Sequence, residues 1–271
     1  MTRKFGREYK LLFGQRDGEL TQVSQLRCRF RIEKSNKPTA NSAIIEVYNL
    51  SEKSRNALQQ ENVIIVLEAG YIGTRRGVFQ GDLTKVEHRK DGADRITVIE
   101  AGDAQKDLQE SFISKSYVSG TQISTVISDV IGTFKNVSFS QNIASVISGV
   151  KELATGGSFE GSSVKVLNEL LSTYGLSFSV QDGELIVEGN SALDDTEIQV
   201  VSPATGLINS PAKTDKGISF NVLLEPRIRP TSFAQVQSES VSGLYRATSI
   251  IHEGDNFERQ WYTSVEAEVA Q

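Results

Sequence analysis

The chain has 271 residues, 38% hydrophobic and 23% charged, with 22 glycines and 5 prolines, a composition that excludes disorder and low complexity and has room for two domains. Its 29 lysines and arginines stand against 34 aspartates and glutamates for a net charge of −5; with no block of like charges, general duplex binding and a polybasic membrane anchor are disfavoured. The lone cysteine, Cys28, forbids an internal disulfide, and His88 and His252 are the only histidines, too few to complete a Cys/His zinc site.

The first residues are charged where a signal peptide needs apolar ones, and no apolar run reaches about 18 residues, so a soluble chain made in a reducing cytosol is expected. Residues Leu26 to Ile32 alternate strictly, placing Leu26, Cys28, Phe30 and Ile32 on one face and Arg27, Arg29 and Arg31 on the other. Comparable stretches at Ser42 to Tyr48, Val63 to Ala69, Val78 to Val86 and Arg95 to Ala101 are separated by turn residues, which predicts antiparallel β structure with one short helix after the N-cap candidate Ser51. The tip Gly73 to Gly77 lacks the ending of a phosphate-binding loop and reads as an exposed hairpin end. Its Arg75 and Arg76 suit an interface, because guanidinium groups pair bidentately with carboxylates.

From about Asp103 the apolar period changes to that of helices, with stripes at Ile123, Val126, Ile127, Val130 and Ile131, at Ile143, Val146, Ile147 and Val150, and at Val164, Leu167, Leu170 and Leu171. A weak repeat links Gly120 through a helix to Ser138-Phe-Ser, and Gly161 through a helix to Ser177-Phe-Ser. Asp182-Gly183 between alternating runs predicts a hairpin. This middle region is therefore α+β. Strand patterns resume at Glu197 to Val201, Gly217 to Leu224, Ser232 to Gln237, Leu244 to His252 and Gln260 to Glu268, with Pro211, Pro226 and Pro230 expected between strands. Trp261 and Tyr262 fall on opposite faces of the last strand, one in the core and the other, taken as Tyr262, outward as an interface anchor.

Catalysis finds little support. His88 and His252 are the only imidazoles available as a base, no nucleophile elbow or His-Glu-x-x-His pair accompanies them, and both are expected as ordinary strand or turn residues. Asp82, Asp103, Asp194, Asp195 and Asp255 are candidates for paired-carboxylate chemistry, but most adjoin glycines or turns, where an aspartate satisfies its own backbone. No catalytic, cofactor or metal site is predicted.

The order of several motifs resembles the baseplate hub, or tube-initiator, proteins of contractile-tailed bacteriophages. The likeness is carried by Phe30-Arg-Ile-Glu-Lys, Ala43-Ile-Ile-Glu-Val-Tyr-Asn-Leu-Ser, Leu67-Glu-Ala-Gly-Tyr, Val78-Phe-Gln-Gly-Asp-Leu, Gly175-Leu-Ser-Phe-Ser-Val-Gln-Asp-Gly, Thr205-Gly-Leu-Ile-Asn-Ser-Pro, Gly243-Leu-Tyr-Arg-Ala and His252-Glu-Gly-Asp-Asn. It implies a mainly β chain with an α+β insertion: two tube-type antiparallel β-barrel domains, residues 1–103 and 191–271, flanking a middle domain at 104–190. It further implies a homotrimeric, pseudo-sixfold ring without enzymatic activity or cofactor, assembled in the host cytoplasm into the virion baseplate. Implied partners are the tail tube or a tube adaptor, the central spike, wedge proteins and the tape-measure protein, with DNA only in transit and no membrane. Within that picture Arg27, Arg29 and Arg31 are expected to face a subunit or wedge protein, and the acidic balance suits a channel that repels phosphates. The alternatives are a tail-associated peptidoglycan hydrolase or a wall-binding module.

Overall fold

The computed structural model describes residues 4–139, 153, 155–189 and 198–270. The chain divides into two compact units, one comprising residues 1–35, 41–102 and 195–271, the other residues 36–40 and 103–194. In chain order the first unit begins with β1 (Arg7–Gln15), β2 (Thr21–Val23), β3 (Cys28–Ser35), β4 (Ser42–Tyr48), α1 (Glu52–Ala57), β5 (Val63–Tyr71), β6 (Arg76–Asp91) and β7 (Asp94–Gly102). The second contains α2 (Gln105–Glu110), β8 (Phe112–Tyr117), α3 (Ile123–Ile131), β9 (Ser138–Phe139), β10 (Gly157–Ser162), α4 (Ser163–Thr173), β11 (Leu176–Gln181) and β12 (Glu184–Gly189). The chain then returns to the first unit with β13 (Gln199–Val201), β14 (Leu207–Lys213), β15 (Gly217–Leu223), β16 (Phe233–Gln237), β17 (Ser242–Asp255) and β18 (Trp261–Val269).

The strict alternation of β3 is realised as read: Cys28, Phe30 and Ile32 are buried and Arg29, Arg31 and Glu33 exposed. Ser51 caps α1, its hydroxyl accepting the Ser54 amide at 3.1 Å. Pro211 departs from the expectation. It lies inside β14, at the irregularity between Ile208 and Ala212, on a strand paired only with β15. An edge strand with a bulge tolerates proline because no ladder bond is forfeited.

The strands of the first unit pair as one 13-stranded sheet in the order β14-β15-β18-β17-β3-β4-β7-β6-β5-β1-β2, with β16 on β17 and β13 on β16. This is an open path: the described strands do not close into a barrel within one chain. The N- and C-terminal segments are fused by the antiparallel pairing of Ser249–Asp255 with Arg29–Ser35. Side chains from β1, β3, β4, β5 and β7 meet in one core, with Leu11, Phe13, Ile32, Ile45, Ile65, Leu67 and Ile99 inaccessible to solvent. A second core, around Ile218, Phe220, Ala234, Val236, Ile250 and Val265, underlies the C-terminal strands.

Strand order exposes a duplication within this sheet. Its first four strands, β14-β15-β18-β17, repeat the arrangement of the next four, β3-β4-β7-β6. Each set consists of one hairpin followed by a second hairpin in reversed order. The correspondence reaches single residues. Both long strands, β6 and β17, have a register shift against their partners, between Leu83 and Lys85 and between Ala247 and Ser249. At each shift a threonine hydroxyl donates to the partner strand, Thr84 to the Glu100 carbonyl at 3.0 Å and Thr248 to the Glu266 carbonyl at 3.2 Å. Four residues further on, His88 Nδ1 lies 3.1 Å from Thr97 Oγ1, and His252 Nδ1 lies 2.8 Å from Thr263 Oγ1.

In the second unit, β11, β12 and β9 form a small sheet and β8 pairs with β10. The apolar stripes of α3 and α4 supply its core, with Val126, Ile127, Val130, Leu167 and Leu171 fully buried. Asp182 and Gly183, at φ 55° and 82°, make the expected hairpin turn. The buried Asp103 carboxylate accepts the Gly183 amide at 2.7 Å, and Asp107 accepts the amides of Lys135 and Asn136. The stripe from Ile143 to Val150, with Asp194 and Asp195, lies outside the described residues. No described helix is long and apolar enough to cross a membrane.

Candidate assembly surface

Alternation places a continuous row of side chains on the open face of the eight duplicated strands. On the N-terminal set these include Arg29, Arg31, Glu33, Ile44, Glu46, Lys85, Glu87, Arg89 and Glu100; on the C-terminal set, Glu253, Tyr262, Ser264, Ser219 and Asn221. Three of the cations named there are engaged with carboxylates: Arg31 with Glu33 at 2.8 Å and Glu253 at 2.7 Å, Arg89 with Glu46 at 2.8 Å, and Lys85 with Glu87 at 2.6 Å. Arg29 is exposed and makes no hydrogen bond or ion pair among the described residues. A groove of about 340 Å³ runs over the C-terminal set, lined by hydroxyl and amide side chains, including Asn209, Ser210, Ser219, Asn221, Ser249 and Ser264, with Glu266.

Arg27 occupies a different place from its neighbours. It precedes β3 and turns into the seam, donating to Asp255 Oδ2 through Nε at 3.2 Å and Nη2 at 2.8 Å, with its guanidinium 4.7 Å from the centre of the Tyr48 ring. Asp255 is 1% exposed. Its burial opposes ionisation, but the bonds from Arg27 and from the Phe257 and Glu258 amides outweigh that, holding the carboxyl below the usual range. Asn256 completes the seam: its side-chain oxygen accepts the Cys28 amide at 2.8 Å and its amide donates to the Leu26 carbonyl at 3.1 Å.

Tyr262 faces outward and Trp261 is buried at 2% exposure, edge-on to Phe30. Partial burial, then the hydrogen-bonded Glu253 carboxylate, raises the Tyr262 phenol above its ordinary pKa. Arg75 and Arg76 sit at the exposed end of the β5–β6 hairpin; Arg75 pairs with Glu68 at 3.0 Å, and Arg76 is exposed. The arginines and Tyr262 named from sequence therefore do not form one site: Arg29, Arg31 and Tyr262 share the open face, Arg27 belongs to the seam, and Arg75 and Arg76 lie at a hairpin tip.

The candidate catalytic groups among the described residues are spent elsewhere. Each histidine is tied to a threonine of the adjoining strand, and His88 is pushed below its ordinary pKa by partial burial, then by the charges of Arg55 and Arg95. Asp82 pairs with Arg16 at 2.7 Å, and Asp103 and Asp255 hold backbone turns. The duplication was overlooked in the sequence, although it is written there: Thr84-x-Val86-x-His88 with Thr97-x-Ile99-Glu100-Ala101 recurs as Thr248-x-Ile250-x-His252 with Thr263-x-Val265-Glu266-Ala267.

Solved structures with this fold include two proteins described as tail proteins and a component of a type VI secretion system. The 43 kDa tail protein of prophage MuSo2 from Shewanella oneidensis aligns with 98% of this chain and 99% of its own, at 12% identity and a TM-score of 0.65. A tail protein from Neisseria meningitidis MC58 aligns over 97% of both chains at 11% identity and a TM-score of 0.67. An E. coli component of the type VI secretion system, described as structurally similar to the T4 phage tail proteins gp27 and gp5, aligns over 96% of this chain and 76% of its own, at 11% identity and a TM-score of 0.62. The likeness shows a shared, mainly β fold. The family model described as Baseplate hub gp41 matches residues 10–267, and the chain belongs to this family. That membership makes it a structural protein of the phage tail rather than an enzyme. No curated protein matches the chain by sequence.

Proposed function

We propose that three copies of this chain close into a pseudo-sixfold ring at the baseplate, joining the tail tube to the central spike around a channel for DNA. The observation that carries this is the head-to-tail duplication of the sheet. Within one chain, β17 of the C-terminal set pairs with β3 of the N-terminal set. The strands left at the two ends are the counterparts of that pair: β14 corresponds to β3, and the Leu83–Asp91 portion of β6 corresponds to the part of β17 that pairs with β3. Neither edge has a second partner among the described strands. Laying β6 of one copy beside β14 of the next repeats the internal seam, and a contact between unlike edges related by a constant rotation closes into a ring. Each chain supplies two equivalent sectors, so three chains give six, the match needed between a sixfold tube and a threefold spike. Each sector is then a tube-like barrel half whose open edge is completed by its neighbour, with residues 104–190 as the inserted middle domain.

The open face serves as the channel wall. Its carboxylates outnumber its cations, and Arg31, Lys85 and Arg89 are already neutralised, so a passing phosphate backbone meets no row of free positive charge. This assigns Arg29 and Arg31 to the channel in place of the subunit or wedge contact expected from sequence. Tape-measure protein occupies the channel before ejection, and wedge proteins contact the outer surface.

The edge assignment is tested by labelling. Glu87 is exposed on the free portion of β6, and a bulky maleimide on E87C is expected to hold the purified chain at the monomer mass in light scattering. The same label on D17C, in an exposed turn away from both edges, is expected to leave a mass near three times 29.7 kDa. A trimer that persists with E87C labelled would rule out this edge as the contact.

A further inference from the structure

The first unit carries three large apolar side chains on neighbouring segments that the described residues leave exposed. Phe5 is 80% exposed, Ile72 61% and Phe257 70%, and they lie on three different segments: the approach to β1, the β5–β6 tip and the β17–β18 tip. Arg7 and its neighbours gather these segments. The Ile72 amide donates to the Gly6 carbonyl at 2.9 Å, while the Arg7 guanidinium donates to the carbonyls of Asp255 at 3.1 Å, Glu258, and Arg259 at 3.0 Å. Soluble surfaces scatter large apolar residues singly, so three brought together on tethered loops mark a contact. The charge around them has one sign to spare. Arg76 and Arg259 are exposed at the same tips and make no ion pair among the described residues. Guanidinium groups framing aromatic anchors fit carboxylates on a partner.

We propose that this rim is the docking surface for the next ring of the tail, a protein whose contact surface presents acidic side chains and sockets for Phe5, Ile72 and Phe257. The inference rests on the hub reading above, in which the chain is one ring of a stacked tail. The test places a photo-crosslinking benzoyl-phenylalanine at Phe257 and, separately, at Ile72 of the full chain, supplied to a phage lacking the gene, with tails purified after irradiation. Both positions are expected to crosslink to the same second tail protein, within a segment rich in Asp and Glu. Adding R76E and R259E is expected to cut the yield by about tenfold or more while leaving the chain's own oligomeric mass unchanged. Crosslinks only to other copies of this chain, or none in tails that contain it, would overturn the rim assignment and spare the hub reading. Absence of the chain from purified tails would overturn both.

Discussion

At the scale of single residues, the seam between the two strand sets depends on one buried carboxylate. Asp255 is held ionised by Arg27 and by two backbone amides, and removing a carboxylate in that position leaves two amides without their acceptor and the Arg27 guanidinium with only the exposed Glu258 carboxylate at 3.3 Å. D255A is expected to lose roughly 3 kcal/mol at neutral pH, read from urea denaturation. The sign with pH follows from the depressed folded pKa. The contribution is fully present above the unfolded carboxylate pKa of about 3.9 and is lost as pH falls through the lower folded value. The gap between wild type and D255A should therefore be widest at neutral pH and narrow strongly at acid pH, and a constant gap would mean that the ion pair is not what Asp255 supplies. Nothing in the sequence paired Arg27 with a residue 228 positions away; alternation could say that Arg27 stood apart from Cys28 and Phe30, but not what it faced.

At the scale of elements, most strands of the first unit were legible because one buried face imposes a period of two. Ser42–Tyr48 matches the predicted strand end to end, and the helix after Ser51 follows from its cap. The β1 strand is not legible in the sequence, although Tyr9, Leu11 and Phe13 alternate with partly exposed residues, because Arg7, Glu8 and Lys10 give the segment a charged character. Pairing was beyond reach, since the same alternation is compatible with many neighbours. At the seam, tight packing depends on Gly254, opposite Phe30 and Trp261 in the ladder. A Cβ there would lie 2.3 Å from Phe30 Cζ and 2.7 Å from Trp261 Cε3, inside van der Waals contact with rings held edge to face. G254A is expected to destabilise by about 1–3 kcal/mol, as overpacking of a filled core does, with a matching drop in thermal midpoint. An unchanged midpoint would show that the seam yields without cost.

At the scale of the whole molecule, the resemblance read from scattered motifs and the family match agree on a baseplate hub. What the motifs could not convey was the mode of duplication. Two tube-type barrel domains were expected, and the described strands form a single open path in which one set adjoins the next. The recurrence of His88 with Thr97 as His252 with Thr263 marks the two sets as copies, and the differing hairpin lengths, ending at Asp94 and Trp261, shift the spacing enough to hide the match from a fixed-period scan. In the proposed ring, an open path with complementary ends needs no further parts: each chain would begin the wall that its neighbours finish. Imaging purified tails by cryo-electron microscopy tests this most directly. The expected reconstruction has three copies of the chain around an open axis, β6 of each beside β14 of the next, with Arg31 and Tyr262 turned to the channel. Copies placed off the axis, or a ring in which the open face is turned outward, would contradict it.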